Sequence, residues 1–435
     1  MVKQPRHLFA TGAIIAAAAL GLTACGGGEK KADAPSKDEK VTINYVHRLP
    51  DGDGMQKVED IVKKWNTEHP NVQVKTEKFA GKPGELIKKL ETDVKAGNAP
   101  CLAQIGYSEV PEVFNKSLVE DVTSEAQKYE KNYTGAFAGM KVGNKIVGLP
   151  QDTGPLVYFY DKAAFDTLGL KVPTTLDELK AAAKKAAEKG KYILDFEPDE
   201  GSLWLVSQAA GAGDSWYGVE GDKWQVNTAG EGSQKIAAFW QDALDNNYAL
   251  KIPRWDDAYG KALQEGKLIG NIGAAWEAGF MLDDVVKEGQ QGTWQVAALP
   301  NLGADKTGAD GGSGVAVIKG CKYSAQAMEF NNWFNTQTEA LASQGLIVAA
   351  KGSVATPEKI KKQFGGQDVY KVLAAANEKI SPDFMVIPGF SAVDTKMKEV
   401  AGKVAEGKAK VADIFKAAGE TSVQTLESLK LPVAK

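Results

Sequence analysis

Histidine is scarce in this chain, with three residues at positions 7, 47 and 69 among 435. That scarcity excludes a His-Glu-x-x-His zinc helix. Three cysteines, at positions 25, 101 and 321, are too few and too scattered to supply a Cys/His zinc cluster. No Gly-x-Ser-x-Gly elbow and no P-loop occurs. Carboxylates are plentiful, so a hydrolytic carboxylate pair is not excluded by counting, but no pattern singles one out. Charge of one sign is also missing: 52 basic residues stand against 56 acidic ones, interspersed, for a net charge of -4. Nucleic acid would want a basic stripe, and there is none. After residue 22 no apolar run approaches the ~20 residues of a spanning helix.

What is present starts at the N-terminus. Lys3 and Arg6 precede an apolar run from Leu8 to Leu22, which is too short to span and rich in Ala and Gly. A basic region, a short apolar core and small residues before a cleavage point make a secretory signal. Leu22-Thr23-Ala24-Cys25 resembles the lipobox of bacterial lipoproteins. The resemblance implies cleavage after residue 24, a lipid on the Cys25 thiol and residence on the outer face of the cytoplasmic membrane. Two acyl chains suffice for stable anchoring where one does not. Residues 25–40 carry Gly26-Gly27-Gly28 and then mixed charge without apolar periodicity, which reads as a flexible tether.

About 410 residues follow the signal, enough for two or three domains or one two-lobed body. Val41, Ile43 and Tyr45 alternate with polar residues as in a half-buried strand. Val58, Ile61, Val62 and Trp65 have helical spacing. Strands around Val72 and Leu102–Ile105 flank a helix carrying Leu86, Leu90 and Val94. This alternation predicts an α/β fold with a largely parallel sheet. Leu156 to Tyr160 reads as a fully apolar strand, and Thr175 with Glu178 as a capping box. Helices are expected at 234–248, 324–343, 357–364, 367–378 and through most of 396–429. Strands are expected at 268–275, 294–299 and 315–318.

Four segments together resemble the carbohydrate-specific solute-binding proteins of ATP-driven importers, of the maltose-binding type. They are Ala96–Gly106, Pro150–Leu170 followed by Val172-Pro173-Thr174-Thr175, Ile272–Phe280, and Gly311–Gly320. Their style is similar to that of high-GC Gram-positive members. The resemblance implies a two-lobed periplasmic-binding-protein-like fold with the ligand cleft between the lobes. Lobe one would be 41–152 with 317–356, and lobe two 153–316 with 357–435. Hinge segments would lie at Gln151–Pro155, Ser313–Val317 and Ala350–Thr356. The implied topology sets the strand at 315–318 antiparallel beside 102–105, bringing Cys321 near Cys101. Two buried thiols are the alternative to a disulfide there.

A sugar offers hydroxyls at its rim and C–H patches on its faces, so its site wants flat aromatics and planar or charged hydrogen-bonding groups. Of nine tryptophans, Trp65, Trp240, Trp294 and Trp333 read as core. Trp204, Trp216, Trp255 and Trp276 lie among Gly, Ser, Asp or Glu and are platform candidates, Trp276 first, because it falls in a family segment and precedes Glu277. Phe384 and Phe390 sit where the family often supplies another aromatic. Polar candidates follow lobe-one strands, where open α/β sheets place ligands. These are His47, Arg48, Tyr107, Ser108 and Glu109, with Asp152 at the first hinge; each also suits a helix cap or solvated loop. Asp51-Gly52-Asp53-Gly54 lacks the spacing of a calcium loop and reads as a polar turn.

The expectation is a monomeric, lipid-anchored receptor that closes on an oligosaccharide and delivers it to the permease of an ABC importer. No cofactor, metal or catalytic residue is expected. The alternatives are an extracellular glycoside-processing enzyme and a receptor for a non-sugar solute such as a polyamine, which Asp152, Glu109 and Glu277 could serve.

Overall fold

The computed structural model describes residues 40–434 except 53–54, 82, 255 and 280–291. The expected signal, Cys25, nearly all of the tether and Trp255 lie outside the described residues.

Strand Val41–His47 lies between Val72–Lys78 and Leu102–Gly106, parallel to both. Helix Val58–Glu68 buries Val58, Ile61, Val62 and Trp65, an apolar stripe one turn apart. Here the sheet follows the expected alternation. Beyond residue 148 it does not, and the sheet is mixed rather than largely parallel. Strand Ala309–Val317 returns antiparallel between Leu102–Gly106 and the first half of the 14-residue strand Gly148–Asp161. The second half of that long strand pairs antiparallel with Gly270–Ala274 and Trp294–Ala298. Two long crossing strands thus join both ends of one sheet, which has seven strands among the described residues.

The apolar run at 156–160 is buried on both faces, as its lack of alternation requires. Leu156, Tyr158 and Tyr160 enter one core with Trp204, Trp240 and Phe415. Val157 and Phe159 point the other way, into a core with Tyr259, Phe364 and Leu373. A separate core gathers 41–149 with 315–350, around Tyr45, Trp65, Phe330 and Phe334.

The expected helices form, and two of the stretches are interrupted. The stretch 324–343 is two helices, Ser324–Asn335 and Thr338–Ser343. The C-terminal stretch is Phe390–Ala405 and Val411–Ser428, with Gly407 in a left-handed conformation (φ 73°) at the break. Thr175 caps its helix by accepting from Glu178 N at 3.2 Å, while the Glu178 carboxylate reaches back to Thr174 N at 2.8 Å. Asp51 caps helix Val58–Glu68, accepting from Val58 N at 2.9 Å. Cys101 and Cys321 are joined by a disulfide, with Cα atoms 4.7 Å apart. Among the described residues no helix is long and apolar enough to cross a membrane.

Candidate ligand-binding cleft

A cleft of about 1540 Å³ lies where the crossing strands meet. Tyr107, Ser108, Phe114, Thr134 and Lys141 line it from the elements around the core of Tyr45, Trp65 and Phe330. Trp224, Tyr370, Lys371, Phe384 and Met385 line it from the elements opposite.

Tyr107 and Ser108 belong to a single 3-10 turn, Tyr107–Glu109, directly after strand Leu102–Gly106. Strand ends carry loops that reach a cleft, which is why sequence pointed here. The Tyr107 hydroxyl donates to the Asp152 carbonyl at 2.7 Å. Its ring packs on Gly312, where a Cβ would fall 2.8 Å from a ring carbon. Trp276 does the same to Gly311, with Nε1 3.0 Å from that glycine's would-be Cβ. Both glycines have positive φ, 86° and 91°, at a bulge in the strand pairing. Side chains from two separate 3-10 turns, Tyr107–Glu109 and Ala275–Gly279, therefore meet on adjacent glycines of one crossing strand.

A buried polar relay underlies this point. The Ser313 hydroxyl donates to Asp152 Oδ1 and accepts from Gln104 Nε2 at 2.9 Å. Gln104 Oε1 accepts from Arg48 N at 2.6 Å. Burial pushes the Asp152 carboxyl up to about 6, opposed by the Ser313 bonds. The Arg48 guanidinium lies 4.0 Å from Glu109, whose carboxylate also accepts from Gly106 N at 2.9 Å. Burial raises the Glu109 pKa, and Arg48 opposes the rise. Arg48, Glu109 and Asp152 thus come together, but behind the lining. Gln104 and Ser313 were missed. A Gln inside the apolar strand Leu-Ala-Gln-Ile was the available signal, since a buried amide needs partners.

His47 is buried and is not among the lining residues. Burial pushes its pKa down to about 4, so it is neutral at physiological pH.

Glu277 is not a free cleft carboxylate. It is buried, hydrogen-bonded to Arg254, and accepts from Ala274 N at 2.7 Å. Arg254 also lies 3.7 Å from Glu197, 3.2 Å from Glu200 and 3.8 Å from Asp310. Four acids around one guanidinium leave excess negative charge in a low-dielectric pocket. Burial raises the pKa values of Glu277 and Glu197 and pushes Asp310 up to about 7, against the pull of Arg254. The guanidinium sits 5.2 Å from the Trp276 ring, and Trp276 Nε1 donates to the Asp310 carbonyl at 2.9 Å. The cluster holds Trp276 against Gly311, which lines the cleft, while Trp276 itself is not among the lining residues.

Three expected platforms are core residues instead. Trp204 is fully buried, its Nε1 donating to the Ile272 carbonyl at 3.0 Å and its ring against Trp240. Trp216 donates to Ser233 Oγ at 2.9 Å and packs edge-on to Phe415. Phe390 packs edge-on to Tyr217. Polar sequence neighbours misled here, because each ring turns inward from an element end. Phe384 does line the cleft. So does Trp224, which was overlooked. It lies in Lys223–Val226, where polar and apolar residues alternate after a Gly-Asp turn.

Residues 60–365 match the family model described as bacterial extracellular solute-binding protein. The chain belongs to the bacterial extracellular solute-binding proteins. The galacto-N-biose-/lacto-N-biose I-binding protein of an ABC transporter from Bifidobacterium longum, solved with lacto-N-biose, is 49% identical. That match covers 92% of this chain and all of the other, with a TM-score of 0.86. A binding protein from B. animalis subsp. lactis, in complex with β-1,6-galactobiose, shares the fold at 22% identity and a TM-score of 0.72, covering 90% of this chain and 98% of that one. Among curated relatives, a multiple sugar-binding protein of Streptococcus mutans is 28% identical over 190 residues, 43% of this chain. The chain spans 42% of that relative's length. This solute-binding protein therefore has the two-lobed α/β fold, with crossing strands between the lobes.

Proposed function

We propose that this protein captures a disaccharide or short oligosaccharide of the lacto-N-biose class in the cleft, for import through an ABC permease. The observation that carries the reading is the 49% identity to a lacto-N-biose-binding protein over that protein's whole length. The cleft supports it with the aromatic face of Tyr107 beside hydrogen-bonding groups at Ser108, Thr134 and Lys141.

The lobes are 41–152 with 317–356 and 153–316 with 357–435, hinged at 151–155, 313–317 and 350–356. Tyr107 and Ser108 contact the sugar, and Trp276 offers its face from the other lobe. Asp152, Arg48, Glu109, His47 and Glu277 shape the walls without touching it. A ligand that bridges both lobes binds the closed form better and so shifts the population toward it. ATP is hydrolysed by partner subunits, and this chain turns nothing over. It works as a monomer, exported and held by a lipid on Cys25, with the tether leaving the lobes free to reach the permease.

Isothermal calorimetry on the mature chain with lacto-N-biose, galacto-N-biose, maltotriose and spermidine tests the reading, with chromatography of the sugars afterwards. The expected result is saturable binding of the first two without cleavage. Binding of spermidine alone, or appearance of monosaccharide, would overturn it.

A further inference from the structure

The cleft is larger than a disaccharide needs. Its volume of about 1540 Å³ exceeds the roughly 300–1,000 Å³ of pockets that enclose drug-sized ligands. Part of its wall is also wrong for hydroxyls. Val219 and Met385, which are 54% and 41% exposed, both line it. Concentrating exposed apolar side chains in one concavity marks a binding surface, whereas scattered ones mean little.

These two residues belong to one continuous wall. Val219 pairs directly with Trp224 across the hairpin Tyr217–Glu220/Lys223–Val226. The Tyr217 ring meets Phe390 edge-on, which brings the 384–390 segment alongside. Leu431 completes the wall. A two-stranded hairpin is marginal by itself. This one is held from outside by the segment that follows Leu431. Trp224 N donates to the Pro432 carbonyl at 2.9 Å, and Ala434 N donates to the Trp224 carbonyl at 2.8 Å. The Tyr217 hydroxyl and Ser422 Oγ share a further bond of 2.8 Å. The backbone of Trp224 is therefore clamped on both of its polar groups while its ring faces the cleft.

From this we infer that Val219, Trp224, Phe384, Met385 and Leu431 form an apolar subsite that takes an aryl or alkyl aglycone on a glycoside, with residues 432–434 setting the position of Trp224. This rests on the proposal that the cleft binds the sugar. A free sugar would leave the wall wet; an apolar substituent would cover it.

The test compares lacto-N-biose with its 4-nitrophenyl glycoside by calorimetry, and follows quenching of tryptophan fluorescence by the nitrophenyl ring. Burying such a ring should tighten binding about ten-fold or more. Trp224→Ala should abolish the gain and the quenching while leaving lacto-N-biose affinity within about two-fold. Ala434→Pro, which deletes one clamp bond outside the cleft, should reduce the gain in the same way. Val219→Asn, at an exposed position, serves should Trp224→Ala misfold. Equal affinity of wild type for both compounds, or a gain that survives in Trp224→Ala and Val219→Asn, would overturn the subsite. Should lacto-N-biose itself not bind, the proposed function falls. The subsite is then judged on the glycoside alone: saturable, Trp224-dependent quenching sustains it, and no such quenching sinks it.

Discussion

The Ser391 hydroxyl donates to Glu112 Oε2 at 3.1 Å although the two residues are 279 positions apart. Ser391 lies in the first turn of helix Phe390–Ala405, which packs on one core, and Glu112 lies on helix Val110–Asn115, which packs on another. A second bond at the cleft, from Asn377 Nδ2 to Thr134 Oγ1 at 3.5 Å, reaches from helix Val369–Asn377 on the Tyr259, Phe364 and Leu373 core. These contacts join elements of different cores directly.

Under the proposed closure mechanism, bonds between the two bodies raise the population of the form that holds them. Apparent affinity scales with the fraction of molecules that are competent to bind. The Ser391–Glu112 bond is exposed, so its net worth is small, on the order of 1 kcal/mol or less. Ser391→Ala should therefore weaken lacto-N-biose binding by roughly two- to five-fold. The melting temperature should stay within a degree or so, because neither core is touched. Calorimetry paired with a thermal melt checks both halves, and unchanged affinity would remove the latch.

Arg254 is a harsher case. Removing one partner of a buried ion pair typically costs about 3–5 kcal/mol, because the other charge is left uncompensated. Here four acids lose their only guanidinium within 4 Å among the described residues. Arg254→Met should fall in that range at pH 8 and cost less at pH 5, where the raised pKa values of Glu197, Glu277 and Asp310 let protons replace the arginine. Chemical denaturation at both pH values is the measurement. Trp276 should lose its fixed environment too, seen as a shift in its emission.

Asp310 gives the pH dependence a sign. Burial lifts its carboxyl to about 7 in the folded protein, from 3.8 unfolded. Between those values the folded state holds the proton more often, so this group's contribution to stability declines as pH rises toward 7 and is flat above it. Asp310→Asn keeps the shape and removes the titration. It should match or exceed wild type in stability, with an advantage that grows from about pH 4 to about pH 7 and then stays constant. His47 acts in the opposite sense. Its pKa is lowered to about 4 from 6.5, so it favours folding above pH 6.5 and loses that contribution as pH falls toward 4. Melts of Asp310→Asn and wild type across this range isolate the Asp310 effect, since His47 is common to both.

Sequence carried much of the fold and less of the cleft. Alternation at Val41–Tyr45, helical spacing at Val58–Trp65 and the unbroken apolar run at 156–160 each follow from local burial, and local burial is written in local residues. The antiparallel half of the sheet is not, apart from the pairing of 315–317 with 102–104 that the family resemblance implied, because the partners of Gly148–Asp161 come from 270–274, 294–298 and 309–317, far along the chain. The same division holds at the cleft. Tyr107 and Ser108 could be found because they follow a strand. Trp204, Trp216 and Phe390 have polar neighbours in sequence and apolar ones in space, and only the second kind decides burial. Trp224 reaches the cleft because residues 432–434 hold its hairpin, a contact that no window around position 224 contains.

The disulfide is the remaining test. Cys101 precedes strand Leu102–Gly106, and Cys321 follows the antiparallel strand Ala309–Val317, with Ile318 N donating to the Cys101 carbonyl at 2.9 Å. The bridge closes a loop across a sequence separation of 220. It lies beside one core, and its loop encloses the first passage of the chain through the other two, to which the chain returns after Cys321. Cross-links over long loops restrict the unfolded chain most, and losing one typically costs about 2–4 kcal/mol. Cys101→Ser with Cys321→Ser should lose stability of that order, measured by denaturant unfolding. Lacto-N-biose affinity should be unchanged, because the bridge lies away from the lining residues. A thiol assay on the denatured, unreduced protein should find neither Cys101 nor Cys321 reactive; reaction of both would mean that the pair is not bonded.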